Sequence, residues 1–309
     1  MKTLIMGTRG SPLALAQARQ VARQLEAIHP ELRVEERIIR TTGDKNQTSA
    51  LPQIGGKGVF TLEIEAALLG GEIHFAVHSL KDLPPQMPAG LCLACVPKRE
   101  NPADALVLNE LNIPDIESSG GALKLLPQGA KIGTSSLRRR AMLLHLRPDL
   151  QVHDVRGNID TRLRKLSEQG FHAILLARAG MNRLGAEAEA LDLPVSHFIP
   201  APGQGALALQ SRTDDLDTRQ ILLGLEHNET RAAVEAERAL VEALEAGCST
   251  PLGAIASTAG DLVSMHCAVL SRDGKQRISV SVQGSGAPEI IGRRAAQSLL
   301  EKGAGELLR

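Results

Sequence analysis

Lys131-Ile132-Gly133-Thr134-Ser135-Ser136-Leu137-Arg138-Arg139-Arg140 joins a short apolar run to a polar turn and then to a helical pattern. Lys131 to Gly133 reads as a strand. Ser135 or Ser136 is a candidate helix N-cap, because a hydroxyl there accepts from the free amides of the first turn. Leu137 to Leu146 reads as the helix. Strand Gln151–Val155, helix Ile159–Gln169 and strand Ala173–Leu176 follow. This alternation predicts a parallel or mixed sheet with helices on both faces.

The same join occurs twice more. Thr8-Arg9-Gly10-Ser11-Pro12 follows the apolar Leu4-Ile5-Met6. Asp154-Val155-Arg156-Gly157-Asn158-Ile159-Asp160-Thr161-Arg162 follows the strand near Val152. Ser11 before Pro12, and Asn158, are the matching cap candidates. Arginine at a helix start opposes the macrodipole, so helix stability does not explain it. Free amides, hydroxyls and guanidinium groups together make an anion site, for carboxylates or phosphates.

Outward from these joins, Leu13–His29 reads as a helix, Val34–Ile39 as a strand, Phe60–Leu69 as a helix and Ile73–His78 as a strand. Thr41–Gly58 is polar and glycine-rich and reads as a functional loop or lid. A strand at Ala105–Leu108 and a surface insertion at Leu111–Pro127 precede the quoted stretch. Pro200-Ala201-Pro202-Gly203-Gln204-Gly205 reads as a hinge leading to strand Ala206–Gln210. The last part changes character. Helix Glu229–Glu245 precedes strands near Ala254–Ser257, Leu262–Leu270 and Arg277–Val282, and helix Ile290–Leu300 closes the chain. Ile278-Ser279-Val280-Ser281-Val282 alternates, as an antiparallel strand with one polar face does.

Composition narrows the function. Lys plus Arg and Asp plus Glu are both 35, so net charge gives no reason to expect nucleic acid or a membrane surface. There is no Trp or Tyr and only 4 Phe, too few for base-stacking platforms. No apolar run approaches the roughly 20 residues of a membrane span, and the opening run is too short for a signal peptide. A cytoplasmic protein is expected. His78, His145, His153 and His172 share no metal-ligand spacing, and no metal is expected. Cys92 and Cys95 are three apart in a strand-like run and so face opposite sides. Cys248 differs, lying in the breaker-rich loop Ala246-Gly247-Cys248-Ser249-Thr250-Pro251 after a long helix. Asp82 follows a buried-looking strand, where an acid suits a cleft. It is either a catalytic acid or a structural one held by Lys81 or turn amides. Lys57, in Gly55-Gly56-Lys57-Gly58, is either a lid cation or a solvated loop lysine.

The segments Thr8-Arg9-Gly10-Ser11-Pro12-Leu13, Gly55-Gly56-Lys57-Gly58-Val59-Phe60, His78-Ser79-Leu80-Lys81-Asp82-Leu83-Pro84, Gly133-Thr134-Ser135-Ser136-Leu137-Arg138-Arg139, Arg156-Gly157-Asn158, Pro202-Gly203-Gln204-Gly205 and Gly247-Cys248 occur in this order over nearly the whole chain. In this the chain resembles the porphobilinogen deaminase family. The resemblance implies two type II periplasmic-binding-protein-like α/β domains with a cleft between them, plus a C-terminal α+β domain with a small antiparallel sheet. Residues 1–98 with 203–222, then 99–202, then 223–309 are the expected domains.

The resemblance also implies an activity. Four porphobilinogen molecules would condense on a dipyrromethane cofactor held by Cys248 through a thioether, and the linear tetrapyrrole would be released by water. Asp82 would be the catalytic acid/base. Arg9, Lys57, Lys81, Arg138, Arg139, Arg156 and Arg162 would bind carboxylates. Ser11, Gln17, Phe60, Ser79, Thr134, Ser135, Ser136 and Gln204 would complete the binding set. A monomer is implied. Asn101, Ala103, Arg178 and Ala246 depart from the residues common in the family. A binding protein of the same fold would explain the arginines, but not Cys248 or Asp82.

Overall fold

The alternation predicted from the sequence is present in the computed structural model, which describes residues 2–42, 61–109, 121–247 and 250–308. The chain divides into two compact units. One holds Met1–Glu100 with Gly205–Val234, the other Asn101–Gln204 with Glu235–Arg309.

The first unit is built on a five-stranded sheet. Its strands are β1 (Lys2–Thr8), β2 (Leu32–Ile38), β3 (Phe75–Ser79), β4 (Leu91–Cys95) and β10 (Leu207–Arg212), in the order β2-β1-β3-β10-β4. The first three are parallel and β10 runs against both neighbours. Helix α1 (Pro12–Ile28) starts as expected. Ser11 Oγ accepts from the Ala14 amide, and Pro12 fills the first turn. Its buried Ala18, Val21 and Leu25 recur at helical spacing and pack with Leu4, Met6, Phe75 and Val77. Helix α2 (Leu62–Leu69) covers the opposite face through Ile64 and Leu68, against Ile73 and Ala76. Each buried Val, Leu, Ile, Phe or Met side chain here contributes about 1.5–3 kcal/mol.

The second unit repeats the plan. Strands β5 (Asp104–Leu108), β6 (Lys131–Gly133), β7 (Gln151–His153), β8 (Ala173–Ala177) and β9 (Ala190–Asp192) lie in the order β7-β6-β8-β5-β9. Here β6, β7 and β8 are parallel and β5 is antiparallel to both neighbours. Both sheets therefore read second, first, third, reversed strand, outer strand. This is the type II periplasmic-binding-protein-like arrangement. Helices α3 (Leu137–Leu146) and α4 (Ile159–Glu168) are capped by Ser136 and Asn158. The predicted strand at Gln151–Val155 stops at His153. The chain also forms helix α5 (Arg178–Leu184) and strand β9, which the sequence reading did not predict.

One detail is common to both sheets. His74 precedes β3; its amide donates to the Ile5 carbonyl (2.8 Å), and its Nδ1 accepts from the Ile5 amide (2.9 Å). His172 precedes β8 and makes the same pair of bonds with Lys131, at 2.8 and 3.0 Å.

Helix α6 (Leu216–Leu222) belongs to the first unit, and α7 (Asn228–Ala243) leads toward the last sheet. That sheet is antiparallel, in the order β11 (Leu252–Ala259), β12 (Leu262–Leu270), β13 (Arg277–Ser285). Val280 is buried and Ser281 exposed, as the alternation predicts. Helix α8 (Pro288–Glu301) packs on this sheet and on α7. A Cβ on Gly292 would lie 2.2 Å from the Ala236 carbonyl, so only glycine permits that approach. Among the described residues, no helix is long and apolar enough to cross a membrane.

Candidate active site

In the first unit β1 and β3 end beside a recess lined by Arg9, Ser11, Gln17, His78, Ser79 and Asp82 among others. This is the carboxyl end of the parallel strands, where open α/β sheets bind ligands. Asp82 ends a single 3-10 turn, Leu80–Asp82, closed by the Leu83 amide on the Leu80 carbonyl (3.1 Å). Leu80 and Leu83 are buried in a cluster with Val96, Ala206 and Ala208, while Lys81 and Asp82 are exposed. The apolar pair thus anchors the turn and presents the acid to solvent. The Leu80 amide donates to the Ala206 carbonyl (3.0 Å), tying the turn to the start of β10. Gln17 is buried and donates from Nε2 to Ser79 Oγ (2.8 Å). Ser11 Oγ accepts from Ala14, which leaves its own O–H able to donate.

A second recess in this unit lies at the amino ends of the same strands, lined by Lys2, His74, Arg212 and Asp215 among others. Its charges pair with one another: Arg212 with Asp215 at 2.7 Å and Lys2 with Asp217 at 3.4 Å.

The second unit treats its arginines differently. Arg138 and Arg139 are 5% and 6% exposed, and both bind the fully buried Asp104. Arg138 Nη1 donates to Asp104 Oδ2 (2.6 Å) and Nη2 to Oδ1 (3.1 Å); Arg139 Nε donates to Oδ1 (2.9 Å). Their remaining bonds include the Ile199 and Leu175 carbonyls. Burial disfavours the Asp104 charge. The two guanidinium groups overcome it and hold the carboxyl well below the usual carboxylate range. Two cations share one anion, and Arg138 Nε is buried without a hydrogen-bond partner among the described residues. The cluster therefore has positive charge to spare.

Around it the hydroxyls serve the backbone. Thr134 Oγ1 accepts from the Ser136 amide, Ser135 donates to the Val155 carbonyl, and Ser136 caps α3. Arg162 Nε donates to the Gly157 carbonyl (2.7 Å). Burial and then the charge of Arg139 push Arg162 down to about 10. Gly157 has φ +118°, and a Cβ there would meet Thr161 at 2.7 Å, so this turn requires glycine. Arg156 lies on the same turn, half-buried. Gln204 is 1% exposed and donates to the Pro102 carbonyl and to Asp104 Oδ1, joining the ion cluster from behind.

The family model described as porphobilinogen deaminase, dipyromethane cofactor binding domain, matches residues 4–220, and the porphobilinogen deaminase C-terminal domain matches residues 231–301. The chain is 46% identical over 311 residues to the porphobilinogen deaminase of Syntrophomonas wolfei, covering 100% of this chain and 98% of the relative. It is 46% identical over 309 residues to that of Desulforudis audaxviator, covering 99% and 97%. The chain belongs to the porphobilinogen deaminase family. Likeness to solved structures is weaker. The Bacillus subtilis YtmK binding protein aligns over 73% of this chain and 90% of its own, with TM-score 0.41 and 8% identity. The strand order, not that likeness, carries the fold.

Asn101, Ala103 and Arg178, which the sequence reading set apart, are connected. Asn101 Nδ2 donates to Asp192 Oδ2 (2.8 Å), and Asn101 Oδ1 accepts from the Ala103 amide (2.9 Å). Arg178 pairs with the same Asp192, and its amide donates to the Ala103 carbonyl. Asp192 ends β9, so a strand invisible in the sequence pattern supplies the shared partner. Asp104 and Glu237 were also missed. Glu237 is fully buried and accepts from the Gly203 (2.6 Å) and Ala256 (2.8 Å) amides, fixing the hinge stretch to β11. The available signal was an acid inside an apolar pattern, which demands partners.

Lys57, Phe60 and Cys248 lie outside the described residues, as do most of the expected lid and insertion. The flanks of Cys248 are described: Gly247 and Thr250 exchange bonds at 3.3 and 3.0 Å.

Proposed function

We propose that this chain is a hydroxymethylbilane synthase, joining four porphobilinogen molecules head to tail with loss of ammonia. It would release the linear tetrapyrrole by hydrolysis, acting as a cytoplasmic monomer. The observation that carries the reading is the presentation of Asp82. An exposed carboxylate stands on an anchored turn at the carboxyl end of β3, in one recess with Arg9, Ser11, Gln17 and Ser79. As the amine of porphobilinogen leaves as ammonia, positive charge develops on the pyrrole. The Asp82 carboxylate stabilises that charge and moves the ring protons during departure and rearomatisation. Arg9 and Lys81, with Lys57, bind substrate carboxylates, and the Ser11 and Ser79 hydroxyls orient them.

The donor set fits a dipyrromethane bearing several carboxylates. The buried cluster of Arg138 and Arg139 holds two positive charges against the one of Asp104, with Arg138 Nε lacking an acceptor among the described residues. Arg156 and Arg162 add two more guanidinium groups on the next turn. In this reading Cys248 holds the group through a thioether. When bound, it supplies the pyrrole carbon on which the product chain begins.

The test is incubation of the purified protein with porphobilinogen, following ammonia and linear tetrapyrrole. Release of both, abolished in Cys248→Ala, is expected. Porphobilinogen binding without ammonia release would favour a binding protein on this scaffold.

A further inference from the structure

One buried polar chain in the first unit is not used by the chemistry above. His78 is 6% exposed on β3, and its Nε2 lies 3.1 Å from Gln210 Oε1 on β10. Gln210 is fully buried, and its Nε2 donates to Glu65 Oε1 on α2 (3.2 Å) and to Met87 Sδ (3.3 Å). Glu65 is itself 6% exposed.

Donor and acceptor rules fix the direction of this chain. The group that Gln210 turns to Glu65 Oε1 and Met87 Sδ is its amide NH2, which donates. The group left facing His78 is then the amide oxygen, which only accepts. His78 must therefore carry its proton on Nε2, and Nδ1 holds the lone pair. Burial first, and the charge of Arg9 second, push His78 down to about 4 against the opposing Gln210 bond. Among the described residues, the charged groups facing this histidine are Arg9 and Asp82 in the shared recess, and Glu65 behind Gln210.

We infer that Glu65 and Gln210 are positioning residues that fix the ring proton of His78 on Nε2, in the wall of the Asp82 recess. The inference rests on the reading of Asp82 as the catalytic acid/base. A charged imidazole there would compete with the developing pyrrole cation for Asp82 and weaken Asp82 as a base. Burial disfavours that charge, and Gln210 keeps Glu65 from pairing with the ring directly. A direct Glu65–His78 pair would favour the charged ring.

The test is long-range nitrogen NMR of the full chain with 15N-labelled histidine, from about pH 8 to about pH 5. One ring should stay neutral with its proton on Nε2 throughout, and His78→Asn should remove that signal. If that variant does not fold, Gln210→Met should move the same signal. Glu65→Gln lets the Gln210 amide turn over. It should mix the two tautomers and lower kcat about tenfold, with KM little changed and the acid limb of kcat in place or at lower pH. A His78 ring that titrates near the ordinary histidine value, or carries its proton on Nδ1, overturns the inference. So does a Glu65→Gln enzyme with mixed tautomers and a wild-type kcat profile. Full turnover by Asp82→Asn would instead remove the reading on which this rests, and the tautomer result would stand apart from it.

Discussion

The two five-stranded sheets have the same strand order and the same histidine seat, yet their first helix starts are used in opposite ways. In the first unit Arg9 stands two residues before the cap, Ser11, and the neighbouring strand end presents Asp82 to solvent. In the second unit the arginines follow the cap, Ser136, inside the helix, where they are buried against Asp104. Arg9 directly follows β1, whereas Arg138 and Arg139 lie in the first turn of α3 and reach Asp104. One frame thus yields an exposed acid and a sealed cluster with surplus positive charge.

The largest effect should separate the two acids. Asp82→Asn should lower kcat about 100-fold or more, with its urea midpoint unchanged, because the side chain is exposed on an anchored turn. Turnover near wild type would break the contrast. Asp104→Asn should do the reverse and cost stability. Removing this carboxylate from two buried guanidinium groups should lose about 3–5 kcal/mol in urea unfolding. The Asp104 carboxyl is depressed in the folded protein, so its contribution is present above the ordinary aspartate range and is lost only as pH falls through its folded value. The variant should therefore converge on wild type in strong acid.

Smaller changes sharpen the comparison. Ser11 and Ser136 accept cap bonds of nearly equal length, 3.3 and 3.4 Å. Ser11→Ala and Ser136→Ala should each lose about 1 kcal/mol of stability. Ser11→Ala should also raise KM for porphobilinogen, because that hydroxyl lines the recess. A KM unchanged by it would remove Ser11 from the binding set.

The smallest effect concerns the histidine seat. His74 is lowered by burial, then raised by Asp215 and lowered by Arg212 and Lys2, with a net downward shift. Its neutral Nδ1 is the acceptor for Ile5. The folded state thus binds its proton less readily than the unfolded chain, so stability is full above the ordinary histidine range and falls as pH drops below it. His74→Asn keeps an acceptor that does not titrate. Its unfolding midpoint should decline less than wild type on acidification, and an equal decline would show that the seat does not sense pH.

Local signals were the legible ones. Ser11, Ser136 and Asn158 were readable as caps because the hydroxyl or amide, the proline and the following apolar period lie within a few residues. The alternation from Lys131 to Leu176 gave most of the second sheet for the same reason. What escaped depends on distant partners. Asp104 precedes its arginines by more than thirty positions, and only the pairing of β5 with β8 brings them together. Gln204 read as a ligand contact, yet its side chain turns inward to Asp104, a direction no spacing encodes. Strand β9 is three residues long, too short for a period, and the Asp192 partner of Asn101 and Arg178 was hidden with it.

The central claim is that this chain grows a tetrapyrrole from a group anchored on Cys248. The most direct measurement is the intact mass of the purified protein, followed by peptide mapping around that cysteine. The account expects a gain equal to two porphobilinogens less two ammonias, located on Cys248, either as purified or after incubation with porphobilinogen. An unmodified mass after that incubation, or an adduct mapped to another residue, would contradict it.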